Sequence, residues 1–278
     1  MGKMGKYLKI MLISLLVASI LLVSPVGAEL EKPVFEKGDY WVYDVTLYNY
    51  YENGTQYIEG LGTLRSEVIK KDKITINGKN YNVVVLNETR MIDYIDGERE
   101  NSVITRYLDE DSLAVLMEVE KNAGTWQVTE ATYDPPILYY NYPLFAGKNW
   151  SIDSNATFSP YGNTTRYIAF CECIGKQNIT TKAGKFENCY VVKIVEPYYL
   201  SNDTYLSYYF AAIHPDAYIC FFEQYLPNQT GENVLRISAN LTSYSYNPGK
   251  ESEKTPDFEI ATAILSLVMI YLFSRKRK

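Results

Sequence analysis

A long internal repeat constrains this chain more than any other feature. Phe35-Glu36-Lys37-Gly38-Asp39-Tyr40-Trp41 is answered by Leu144-Phe145-Ala146-Gly147-Lys148-Asn149-Trp150, each a glycine followed three residues later by tryptophan. Ile76-Asn77-Gly78-Lys79-Asn80-Tyr81 is answered by Lys182-Ala183-Gly184-Lys185-Phe186, a Gly-Lys turn that leads into a Val-Val strand in both places. Asp111-Ser112-Leu113-Ala114-Val115-Leu116-Met117-Glu118 is answered by Asp216-Ala217-Tyr218-Ile219-Cys220-Phe221-Phe222-Glu223. The offsets are 109, 106 and 105 residues, near enough to constant that both copies should adopt one design.

That design is β. Tyr40–Leu47, Tyr81–Leu86, Leu113–Val119, Cys189–Val195 and Tyr218–Phe222 are rich in β-branched and aromatic residues and bounded by Gly, Pro, Asn or Asp. Asn77-Gly78 is a strong hairpin signal, because a type I′ turn needs two residues that tolerate positive φ. Helical periodicity is scarce. The expected fold class is therefore all-β, with two tandem antiparallel sheets of half-barrel or meander type. Residues 29–140 form the first repeat, 141–246 the second and 247–257 a polar linker.

The two ends read differently from the body. Lys3, Lys6 and Lys9 precede an apolar run from Ile10 to Val23, and Val26-Gly27-Ala28 offers small residues before a cut, so residues 1–28 are expected to be a signal peptide. At the other end Pro256-Asp257-Phe258 precedes an uncharged run, Ile260 to Phe273, and the basic stop Arg275-Lys276-Arg277-Lys278. Residues 258–274 are the expected transmembrane or sorting helix, with 275–278 on the cytoplasmic side. This three-part tail resembles the PGF-CTERM sorting signals of archaeal surface proteins, which archaeosortases recognise. Asp257 stands where that family has glycine. The resemblance implies that the tail is cut and replaced by a lipid; otherwise the apolar run stays as a single-pass anchor.

The repeat unit is also similar to uncharacterised archaeal and bacterial exported β domains. It shares with them the G-x-x-W opening and the turn-strand Ala183-Gly184-Lys185-Phe186 running to Val191. Some of those relatives are half-barrels of lipoprotein-carrier type, which implies the same architecture here.

An exterior location is consistent with asparagine usage. Eight of the nineteen asparagines begin an N-x-Thr sequon: Asn53, Asn87, Asn155, Asn163, Asn178, Asn202, Asn228 and Asn240. Chance would supply about two or three, so a heavily N-glycosylated exterior is expected, with each acceptor on an exposed edge or loop. The whole chain carries −6; without the seven cations of its two ends, 20 basic residues face 33 acidic ones, or −13. Nucleic acid is excluded as a partner, since phosphate binding needs the opposite sign. The membrane is the expected partner, with a surface-layer or extracellular protein or a glycan beside it.

All four cysteines, Cys171, Cys173, Cys189 and Cys220, fall in the second repeat. An even number in an exported chain points to disulfides. Cys171 and Cys173, two apart on a strand, share a face and would be strained if joined, so each is expected to pair with Cys189 or Cys220. No catalytic, cofactor-binding or metal-ligating constellation stands out. His214 is the single histidine and reads as a loop or edge residue, and no G-x-S-x-G, phosphate loop or H-E-x-x-H occurs. Tyrosine is abundant, with 27 residues, several in adjacent pairs that should send one ring to the core and one to the surface. The expected function is a non-enzymatic, membrane-anchored glycoprotein of the cell surface, a structural or binding component of the envelope. A surface module for an apolar ligand or lipid, and a carboxylate-based extracellular hydrolase, are the alternatives.

Overall fold

The computed structural model describes residues 29–248, apart from 52, 123–127, 160–161, 201–202, 229–230 and 247. The expected signal segment, most of the linker, the motif Pro256-Asp257-Phe258 and the apolar and basic tail lie outside the described residues. Among the described residues twelve strands follow one another: β1 (Tyr40–Tyr50), β2 (Gln56–Ile76), β3 (Lys79–Tyr94), β4 (Arg99–Asp109), β5 (Val115–Asn122), β6 (Val128–Ile137), β7 (Asn149–Ser159), β8 (Asn163–Thr181), β9 (Gly184–Leu200), β10 (Asp203–His214), β11 (Tyr218–Pro227) and β12 (Asn233–Ser245). Among the described residues no helix is long and apolar enough to cross a membrane.

Each strand pairs antiparallel with its chain neighbours, and β1 also pairs with β12, closing the sheet into a barrel. The two expected sheets are therefore one. Residues 40–137 and 149–245 supply six strands each, and β6 pairs with β7 through Glu130 to Asp134 and Asn155 to Ser159. The reason is edge chemistry: a six-strand meander leaves two rows of unpaired backbone groups, and joining the halves satisfies both rows at once.

Within that closed sheet the matched segments fall six strands apart. Trp41 and Trp150 are the second residues of β1 and β7, the Gly-Lys turns precede or open β3 and β9, and the third pair of segments leads into β5 and β11. Gly38 and Gly147 take φ of 94 and 86, a region that favours glycine. Gly38 N–H donates to Val68 O at 2.8 Å, and Gly147 N–H donates to Cys173 O at 2.7 Å. Val68 N–H and Cys173 N–H return bonds to Asp39 O and Lys148 O, both at 2.8 Å. Asn77 and Gly78, at φ 49 and 76, form the expected I′-like hairpin turn.

Burial alternates along the strands, as in β7, where Ile152, Ser154 and Ala156 are buried and the residues between them exposed. Inward positions near the start of β1 are apolar: Trp41, Tyr43, Val45, Leu86, Leu108, Ile152, Ala169, Cys171, Val192 and Leu241 belong to one core. Phe35, ahead of β1, packs edge-on against Trp41, Tyr218 and Tyr246. The β6–β7 connection brings Tyr140 against Tyr218, and Leu144 bonds Leu30 through both backbone groups. A smaller cluster of Ile76, Val83, Val85 and Leu116 packs apart from the main core.

Much of the other face meets water, while Val83, Val85 and Ser238 on it are buried. A register walk from Thr46 passes Ser238, Glu223, Phe210, Lys193 and Glu172 to Asn149. A lipid-facing band would be apolar along such a path.

Candidate functional site

Directly opposed residues in an antiparallel sheet share a face, so the register identifies what lines the inside of the barrel. From the buried Trp41 the inward face runs through Ser66 and Glu88 to Ile104 and Glu120. One step along, Val68, Leu86, Arg106, Glu118 and Ala131 share it. On the second half Trp150, Cys171, Ile194, Tyr209 and Gln224 share it. The apolar floor thus gives way to carboxylates, guanidiniums and phenols farther along the same strands.

These groups form a hydrogen-bonded belt. Ser66 Oγ donates to Glu88 Oε1 at 3.1 Å, and Arg106 bridges Glu88 and Glu118. Tyr133 donates to Glu118 Oε2 at 2.6 Å. On the other half Tyr167 donates to Glu196 Oε2 at 2.7 Å, and Gln224 Nε2 donates to the Tyr209 oxygen at 2.6 Å. Tyr139, from the β6–β7 connection, hydrogen-bonds Tyr167 and feels the charge of Glu118 in the other group. Arg90 pairs with Glu100, which also accepts from Tyr94 at 2.8 Å.

Burial first, and then the adjacent carboxylates Glu118 and Glu196, push the Tyr133 and Tyr209 hydroxyls well above the ordinary phenol range. Tyr139 is pushed up to about 12 by burial and then by Glu118. These phenols keep their protons at neutral pH, and Tyr133 uses its own in the bond to Glu118. The arrangement has the chemistry of recognition by hydrogen bonds; among the described residues no group of three or more His, Cys, Asp or Glu could hold a metal ion. A shallow depression of about 480 Å³ lies elsewhere, at the β2–β3 hairpin, against Lys73, Ile74, Thr75, Asn80, Tyr81 and Asn82.

The expected glycan acceptors stand away from this belt. Asn53, Asn155, Asn163 and Asn178 are exposed; Asn87, Asn228 and Asn240 are half-buried. Asn87, Asn155, Asn178 and Asn240 lie within strands, so the expectation of an edge or loop does not hold for them; Asn87 Oδ1 accepts from Thr105 and Asn240 Nδ2 donates to Ser238. Asn202 lies outside the described residues. A ninth sequon, Asn149-Trp150-Ser151, emerges once serine is counted beside threonine, and Asn149 is exposed.

Cys171 and Cys173 share the inward face of β8, but all four are free thiols, and the close contact is Cys189 Sγ to Cys220 Sγ at 3.5 Å. That contact joins β9 to β11. Cys189 sits at the start of β9, beyond the residue that faces Cys173, which is Val192. The hydrogen bond from Cys220 eases proton loss at Cys189, while the same contact, followed by burial, holds the Cys220 proton. His214 ends β10, where its Nδ1 accepts Asp216 N–H at 3.1 Å and burial lowers its pKa.

The carboxylate–tyrosine belt was not legible in advance. Its signal was the i, i+2 pattern Leu86, Glu88, Arg90 on a strand whose alternate positions are otherwise apolar.

No protein-family model matches the chain, and no curated protein matches it. Two solved structures resemble it. One is a Bacteroides fragilis protein described as exported and of YmcC-like fold, 14% identical, with a TM-score of 0.42 over 78% of this chain and 100% of that one. The other is a Parabacteroides distasonis protein described as a lipoprotein, 15% identical, with a TM-score of 0.41 over 78% of this chain and 99% of that one. Neither likeness assigns an activity.

Proposed function

We propose that the chain is a non-enzymatic, N-glycosylated cell-surface protein, held at the membrane by its C-terminal apolar segment and serving the envelope as a structural or binding component. The observation that carries this reading is the placement of the sequons. The acceptors that could be modified lie at connections or on the water-facing side, and the belt inside the barrel contains none. The apolar-ligand alternative has less support, because the inward floor around Trp41 is filled by the protein's own side chains and the remainder is lined by charges and phenols.

The test is cell fractionation with protease shaving of intact cells, followed by intact mass of the mature protein. Residues 29–256 should be cut from outside, and the mass should exceed the polypeptide by several glycans. Occupancy should be highest at the exposed Asn53, Asn155 and Asn178 and lowest at the half-buried Asn87 and Asn240. Protection of residues 29–256, or an unmodified mass, overturns the reading.

A further inference from the structure

We propose that the inward face around Arg90 and Ser102 binds a neutral, hydroxyl-rich ligand of the saccharide class. The inference rests on the reading of the barrel as a binding component. Arg90 on β3 and Ser102 on β4 are register partners, so their side chains share the inner face. Ser102 is 1% exposed, and its Oγ has no hydrogen-bond partner; Arg90 Nε is likewise buried and unpartnered. Arg90 Nη2 is engaged by Glu100, which Tyr94 also contacts. Buried polar atoms of this kind are normally completed by water or a ligand.

The pair selects the chemistry that completes it. Arg90 Nε–H needs an acceptor, and Ser102 Oγ can take a donated proton, which one hydroxyl group supplies at once. A cation could use the nearby carboxylates but would leave Arg90 Nε–H unpaired. An anion could accept from Arg90 but would face Glu88, Glu100 and Glu118 with only Arg90 and Arg106 to offset them. A neutral polyol meets neither objection: its further hydroxyls can donate to the carboxylates, and the Tyr94 ring offers an apolar face. The same face is open toward the β5–β6 end, where Glu120 and Thr129, on the register row of Ile104, are exposed.

The experiment is isothermal titration calorimetry on the full-length protein in a zwitterionic detergent without a sugar headgroup. Maltotetraose, cellotetraose and mannotetraose serve as neutral probes, spermidine as the cation and citrate as the anion. At least one neutral probe should bind, and Ser102→Ala and Arg90→Lys should each weaken it about tenfold, as loss of one good hydrogen bond does. Ser102→Ala should keep or raise the thermal midpoint, since it removes an unpaired hydroxyl, so weakened binding will not reflect unfolding. The proposal is overturned if no neutral probe binds, if spermidine or citrate binds more tightly, or if both variants bind like the parent. It is equally overturned if a crystal soaked in the probes shows one ordered water completing both atoms. Loss of binding would leave the fractionation result untouched, so the two readings fail separately.

Discussion

At the opening of β1 the glycine turn gives Gly38 N–H to Val68 O and receives Val68 N–H on Asp39 O; at the opening of β7, Gly147 and Lys148 do the same with Cys173. What the two turns deliver is unequal. Trp41 is 1% exposed, packed among Phe35, Tyr218 and Tyr246, and its Nε1 finds no partner. Trp150 is half-buried, and its Nε1 donates to Leu138 O at 2.9 Å. The strands that face them diverge too. Counting from Val68 and Cys173, Gly60 and Gly62 on β2 stand where β8 has Thr165 and Tyr167. A closed barrel has one interior, so two similar halves cannot both put a tryptophan at its centre. Backbone hydrogen bonds can be repeated; core volume has to be shared.

The comparison is broken or sharpened most directly at the tryptophans. Trp41→Ala should cost about 3–5 kcal/mol, the range for emptying a fully buried aromatic site, and Trp150→Ala roughly half of that. Equal losses in urea unfolding would mean that the halves share the core evenly after all.

The glycine positions come next. A Cβ added at Gly62 would stand 2.0 Å from Met91 O and 2.7 Å from Ile92 Cδ1, so Gly62→Ala should cost about 1–3 kcal/mol by overpacking. Thr165→Ala, at the exposed counterpart of Gly60, should change stability by no more than about 0.5 kcal/mol. A neutral Gly62→Ala would show that β2 and β8 are less distinct than their packing suggests.

Alkali tests the buried phenols of the two halves together. Tyr133, Tyr139 and Tyr209 have folded pKa values raised by burial and then by Glu118 or Glu196. Above pH about 10 the unfolded chain releases these protons while the folded one retains them, so their contribution is whole below that pH and lost as pH rises. Absorbance at 295 nm should show the surface phenols ionising first and the belt only on unfolding. Coincident ionisation without unfolding would place these rings in water.

The smallest effect concerns the cysteines of the second half. Non-reducing peptide mapping should find any disulfide between Cys189 and Cys220, with Cys171 and Cys173 free and slow to alkylate, because burial lifts the Cys171 thiol to about 12. A link from Cys171 or Cys173 would require β8 and β9 to shift register.

Local chemistry was readable because it acts over a few residues. Gly38, Gly147 and Asn77-Gly78 announced their turns by residue type, and alternation announced the strands. Closure was not readable, since nothing in β6 or β7 states whether an edge pairs with the next copy or stays free. The belt escaped for a related reason. Glu88, Arg106, Glu118 and Tyr133 lie on four strands, and only the register shows that they face one another. The Cys189–Cys220 contact depends on the same nonlocal geometry. Tyrosine pairs were predictable one strand at a time: Tyr208 stacks beneath Lys193 on the outside while Tyr209 enters the belt.

Twelve is an even number, and for an up-and-down sheet that parity has a geographical consequence. A chain that reverses direction eleven times comes out beside its point of entry, so Tyr40 and Ser245, themselves register partners, lie at one rim. Any tether attached before β1 or after β12 pulls on that rim alone. The hairpins closing the opposite rim, where Asn53, Asn163 and Asn228 reside, are as far along the strands from the attachment as the barrel permits. A single added or deleted strand would reverse this and send one terminus out at the rim of Asn53, Asn163 and Asn228, so insertions in this protein should be tolerated in hairpin-sized pairs of strands and not singly.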